Sequence, residues 1–119
     1  MSSIFIKRVY EPAVKAHGFR ILVDRLWPRG LCKKAVAADV WMKEIAPSPA
    51  LRKWFDHDPA KWTEFKKKYK AEIKESDAFR TLAAYGKKHA TITLLYGAKD
   101  EKHNQALVLQ QLLDKVLKK

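Results

Sequence analysis

The stretch Phe19-Arg20-Ile21-Leu22-Val23-Asp24-Arg25-Leu26-Trp27-Pro28-Arg29-Gly30 constrains the fold more than any other part of the chain. Ile21, Leu22 and Val23 form a short apolar run between Gly18 and Pro28. Such a run, bounded by turn formers, reads as a strand covered on both faces. Asp24, Arg25 and Arg29 then arrive close together, with Trp27 and Pro28 between them. Pro28 fixes its own φ and pushes Trp27 towards extended backbone, and Gly30 permits a close turn. A stiff loop at the end of a strand thus carries two guanidiniums, a carboxylate and an indole. In open α/β sheets, ligands bind at that end of the strands.

Two further segments read as strands: Ile4 to Val9, and Ala90 to Tyr96, the most β-like run in the chain. Helical signals fill most of the remainder. Asp39 is placed to cap a helix over Val40 to Ile45, with Trp41, Met42 and Ile45 inward. Ser48 and Pro49 open a helix that sets Leu51, Trp54 and Phe55 on one face. Asp58 and Pro59 open the next, where Trp62, Phe65, Tyr69 and Ile73 recur at helical spacing. Asp77 is placed to cap a helix with Phe79, Leu82, Ala83 and Tyr85 inward. A last helix is expected over 101–118, burying Ala106, Leu109, Leu112, Leu113 and Val116.

The order strand, strand, helices, strand, helix predicts an α/β fold: a small three-layer sandwich with a short, mainly parallel sheet flanked by helices. Val9 to Gly18 is barely long enough for a crossover. The first two strands are therefore either parallel through a minimal connection or not adjacent. All 119 residues fit one domain.

The formal net charge is +12, which favours anionic partners such as nucleotides, nucleic acid or an acidic surface. The arginines cluster before residue 60, at Arg8, Arg20, Arg25, Arg29 and Arg52, with Arg80 alone beyond it. Their planar forks suit bidentate recognition of phosphate or carboxylate. The lysines of the second half read as solvated helix faces. No apolar run approaches the roughly 18 residues of a membrane span, and the N-terminus lacks a signal-peptide layout. Cys32 is the only cysteine, so no internal disulfide or cysteine-rich metal site is expected, in keeping with a cytoplasmic protein.

The strongest site joins two strand exits. The first supplies Asp24, Arg25, Trp27 and Arg29; the second supplies Tyr96, Lys99, Asp100 and Asn104. If their strands are parallel neighbours, the loops meet at a switch point, and free N–H groups at the start of the last helix add to an anion site. Tyr10, beside Arg8, leaves the first strand towards the same crevice, and Arg52 can swing in from its short helix. In an enzymatic version, Asp24 or Asp100 is the acid–base, and Arg25 and Arg29 stabilise developing negative charge. The structural alternative is that Asp24 pins the loop to an arginine and Trp27 is core.

His57, between Asp56 and Asp58, is either an oriented acid–base or an exposed loop residue. Lys33 and Lys34 favour a thiolate at Cys32, yet no anion-cradling loop follows it. No metal site and no haem attachment motif is expected, and the cofactor is left unknown. With four glycines in the chain and no glycine-rich motif, side chains and a helix end must hold any phosphate.

Lys7-Arg8-Val9-Tyr10, Gly18 through Gly30, Ala46-Pro47-Ser48 with Leu51-Arg52-Lys53-Trp54-Phe55, and Thr93 through Asp100 with Asn104 closely resemble the YeaO-like bacterial proteins, a large domain-of-unknown-function family. The resemblance covers nearly the whole chain. It implies a small cytoplasmic bacterial domain with an α/β fold, and it brings no settled reaction.

Two functional readings stand. The first is a site for an anionic, phosphate- or nucleotide-like small molecule, with or without catalysis. The second is a basic nucleic-acid-associated protein whose lysines contact phosphates and whose aromatics stack bases. The oligomeric state is left open.

Overall fold

The computed structural model describes residues 3–117. Four strands form one sheet: β1 (Ser3–Arg8), β2 (Phe19–Leu22), β3 (Val40–Trp41) and β4 (Thr91–Tyr96). Their order is β1-β4-β2-β3, and every pairing is parallel. The first two strands are thus not adjacent, because β4 inserts between them. Five helices complete the fold: α1 (Lys33–Val36), α2 (Pro49–Phe55), α3 (Trp62–Ile73), α4 (Asp77–Lys88) and α5 (Gln105–Leu117).

The pleat sorts the strand residues between two faces. Ile21, Ile92, Leu94 and Tyr96 turn to the main core, where Phe55, Phe65, Tyr69, Leu82, Leu109 and Leu113 meet them. Each such side chain contributes about 1.5–3 kcal/mol when fully buried. Leu22 and Leu95 turn the other way, onto Val9 and Val36, with Trp27 and Leu31 packed alongside. This second covering layer is thin, built from loops, the four-residue α1 and a 3-10 turn at Lys15–His17.

Arg20 is buried on the thin side. Its Nε donates to the Ala37 carbonyl at 3.0 Å and its Nη2 to the Val36 carbonyl at 2.9 Å. Its Nη1 contacts His17 Nδ1. The His17 carbonyl in turn accepts from Thr93 Oγ1 at 2.7 Å. A buried guanidinium is tolerated because its donors are spoken for.

Several helical expectations change in three dimensions. Val40 to Ile45 is not one helix: β3 occupies Val40–Trp41 and a 3-10 turn occupies Lys43–Ile45. The Asp39 carboxylate accepts from the Arg20 N–H at 2.9 Å, so it serves the sheet rather than a cap. Met42 and Ile45 are buried as expected, while Trp41 is exposed. Ser76, not Asp77, caps α4 by accepting from the Phe79 N–H. α5 begins at Gln105, because Asp100 and Asn104 hold residues 100–104 in a turn. Val116 is exposed near the end of α5, and Lys118 lies outside the described residues. Ser48 caps α2 as expected, accepting from the Leu51 N–H, whereas Asp58 caps not α3 but a 3-10 turn at Pro59–Lys61 just ahead of it, accepting from the Ala60 N–H.

Candidate functional site

Because all strands run parallel, their C-terminal ends share one edge of the sheet. After β3 the chain leaves on one side and returns as β4 on the opposite side of β2. The exits of β2 and β4 are therefore neighbours at a switch point. A cleft of about 460 Å³ opens there. The β2 exit gives Asp24, Arg25 and Leu26; the β4 exit and the start of α5 give Ala98, His103, Asn104 and Gln105. The opposite wall comes from Ala46 and Pro47, from α2 with Arg52 and Phe55, from His57, and from Phe65 of α3.

Asp24 joins the two exits. Its Oδ2 accepts from the Gly97 N–H at 2.7 Å and its Oδ1 from the Gln105 side-chain amide. Its carbonyl accepts from Trp41 Nε1 at 2.7 Å. Burial pushes the Asp24 carboxyl above its ordinary value, opposed by the two hydrogen bonds and by the Arg52 charge. A Cβ at Gly97 would sit 2.9 Å from Asp24 Oδ2, so a larger residue there would displace the carboxylate.

Arg25 reaches the far wall. Its Nη2 donates at 3.3 Å to each of the Ala46 and Pro47 carbonyls, both long contacts. Its Nε is buried without a hydrogen-bond partner. Arg52 is exposed at the rim. Among the described residues, the ion pairs are Arg80–Asp77 and His103–Asp100, so neither Arg25 nor Arg52 has a carboxylate within 4.0 Å. His57 adds an imidazole from a left-handed backbone position at φ +54°.

Asp24, Arg25, Arg52 and Asn104 are thus brought together at the cleft. The other site residues lie elsewhere. Trp27 packs on the thin face, with its Nε1 donating to the Leu31 carbonyl at 2.7 Å and its ring edge-on to Trp41. Tyr10 is exposed and donates to the Arg29 carbonyl at 3.2 Å, and the Arg29 side chain is exposed outside the cleft lining. Tyr96 is buried in the main core, where burial pushes its phenol up. Lys99 is exposed.

Asp100 accepts from the Lys102 and His103 N–H groups and pairs with His103 Nδ1 at 2.8 Å. The His103 hydrogen bond holds its carboxyl below the ordinary value. Asn104 donates to the Asp100 carbonyl and accepts from the Leu107 N–H, which makes it the cap of α5. Gln105 and Phe65 were not foreseen at the cleft. Nothing local marks Gln105 beyond its place after Asn104, and Phe65 is visible in the sequence only as one member of the aromatic stripe.

Cys32 is exposed at the start of α1, away from the cleft. Among the described residues, no group of three His, Cys, Asp or Glu side chains could hold a metal ion, and no helix is long and apolar enough to cross a membrane.

The chain has bacterial relatives over nearly its whole length. The chain is 45% identical over 111 residues to the uncharacterized protein YeaO of Escherichia coli K12, covering 93% of this chain and 96% of that protein. It is 35% identical over 109 residues to an uncharacterized protein of Mycobacterium tuberculosis H37Rv, covering 92% of each. No solved structure matches the chain significantly. The family described as the inactive DUF488-N3 subclade matches residues 3–119. The chain therefore belongs to the inactive DUF488-N3 subclade, alongside these uncharacterized bacterial proteins.

Proposed function

We propose that the cleft binds a small anionic ligand, phosphate- or nucleotide-like, through Arg25 and Arg52. The observation that carries this is the buried, unpartnered Nε of Arg25. Buried polar atoms of native proteins are nearly always satisfied, and an exception calls for an explanation. An oxyanion in the cleft would supply the missing counter-charge, and a small rotation of the Arg25 guanidinium towards it would give Nε its acceptor. Arg52 at the rim would bind the same group.

Binding is favoured over turnover. Both oxygens of Asp24 already accept hydrogen bonds, and Asp100 is engaged in its own turn. The family's description as inactive points the same way. The nucleic-acid alternative draws less support. Trp54 carries the Lys61 and Lys68 ammonium groups at 5.2 and 5.3 Å, and Trp62 carries that of Lys66 at 5.7 Å. Lysines already cover the aromatic faces that bases would use. The single cysteine fits action in a reducing cytoplasm.

The test is a thermal-shift series on wild type and Arg52→Ala with inorganic phosphate, adenosine monophosphate and short single-stranded DNA, each at low and high salt. Arg52 is exposed, so its removal spares the core. A ligand at about 100 times its Kd stabilises wild type by roughly 2.7 kcal/mol. That shift is expected for a phosphorylated small molecule, persisting at high salt and lost in Arg52→Ala. A shift with DNA alone, abolished by salt, would favour the nucleic-acid alternative.

A further inference from the structure

The cleft is much larger than its charged groups require. Its volume of about 460 Å³ lies within the roughly 300–1,000 Å³ of small-molecule sites, and a water takes only about 30 Å³ of liquid volume. A lone oxyanion bonded to Arg25 and Arg52 would leave most of that space unfilled. Half of the lining beyond the arginines is apolar, and Leu26, Ala46, Pro47, Pro49, Phe55 and Phe65 make up most of that half. Phe55 and Phe65 are stacked on each other with centroids 4.3 Å apart, so they form a fixed aromatic floor. Pro47 and Pro49 lock the backbone of the facing wall, and Ser48 between them is held by Glu72, with its N–H donating to Glu72 Oε1 at 3.0 Å. Leu26 stands 67% exposed at the cleft, an apolar side chain open to whatever enters it.

We infer that the cleft is shaped for an amphipathic ligand: an anionic group bound by Arg25 and Arg52, joined to a flat, uncharged ring that lies among Leu26, Pro47, Pro49 and Phe55. This inference rests on the anion-binding reading above and adds the chemistry of the rest of the ligand. A rigid wall favours a planar body, because a flexible chain would lose rotamer freedom on entering it. A preformed apolar cleft with a few convergent polar groups is the usual arrangement of such sites. Nucleoside monophosphates and aryl phosphates or carboxylates share this chemistry.

The experiment is calorimetric titration of the full chain with four probes: inorganic phosphate, hexyl phosphate, phenyl phosphate and adenosine monophosphate. At least one ring-bearing probe should bind tenfold or more tighter than inorganic phosphate, and tighter than hexyl phosphate. Leu26→Ser should shrink that ratio, and Leu26 is exposed enough for the variant to fold. If inorganic phosphate binds as well as every ring-bearing probe, and Arg52→Ala abolishes both, the ring is refuted while the anion site stands. A preference for hexyl phosphate refutes the planar body. No binding by any probe refutes the ring and the anion site together.

Discussion

Removing the Asp24 carboxylate separates the role of its charge from the role of its hydrogen bonds. Asp24→Ala deletes the acceptors of the Gly97 N–H and the Gln105 amide. Hydrogen bonds to a charged group contribute about 1.5–3 kcal/mol each. Against this stands the penalty for burying a carboxylate, which its raised pKa records. The balance is a loss of about 2 kcal/mol for Asp24→Ala, or roughly 3–5 °C in Tm per kcal/mol for a chain of this size.

Asp24→Asn behaves differently. The asparagine oxygen still accepts from Gly97, and its NH2 donates to Gln105 once the glutamine amide flips. Its cost is within about 1 kcal/mol at neutral pH. The pH dependence has a definite sign. Asp24 holds its proton more tightly folded than unfolded, so the stability tied to that proton is full below the ordinary value of 3.8 and is lost as pH rises through the raised folded value. Asparagine does not titrate, so Asp24→Asn gains on wild type as pH rises from strongly acid towards neutral. Urea unfolding of the three proteins across that range is the assay. If Asp24→Asn is as damaged as Asp24→Ala, or its difference from wild type does not move with pH, the account of Asp24 as a hydrogen-bonded clamp is refuted.

Two other outcomes are expected. Burial, with Arg20 and Lys7 behind it, holds the His17 imidazole below its ordinary value of 6.5; its share of stability is therefore full above that value and is lost as pH falls through the lowered folded value. His17→Gln should flatten this part of the profile, read from urea midpoints at about pH 7 and about pH 5. Gly18 has φ +64°, and a Cβ there would drive into the Thr91 carbonyl oxygen, so Gly18→Ala should cost at least about 2 kcal/mol in the same assay.

The sheet and its switch point were legible because Ile21-Leu22-Val23 and Ile92-Thr93-Leu94-Leu95 are dense apolar runs whose β-branched members suit strands. Arg25, Asp24, Arg52 and Asn104 were legible from their places at strand exits and on α2. Trp27 was not, because the alternation that assigns faces ends with β2 at Leu22; past that point only the loop path decides where an indole lands. Val40 to Ile45 misled for a different reason. Apolar residues at 40, 41, 42 and 45 fit a helix or an extended segment equally, and the arbiter was β2 alongside, whose backbone claims Asp39. The far wall of the cleft depends on which helices cover the strand ends, a long-range outcome that no local pattern encodes.

The strand order has a consequence for how the chain reaches this structure. β4, next to last among the elements, pairs with both β1 and β2, which do not touch each other. Until Thr91–Tyr96 has been made, β1 has no strand to pair with, and only the two-residue ladder between β2 and β3 can form. Each doubling of the loop closed adds only about 0.6 kcal/mol of entropy, so the delay is kinetic rather than thermodynamic. Contacts this distant in sequence slow folding. During synthesis the helices α2 to α4 therefore emerge before the sheet that covers them, and their aromatic stripe stays exposed to aggregation until the central strand arrives.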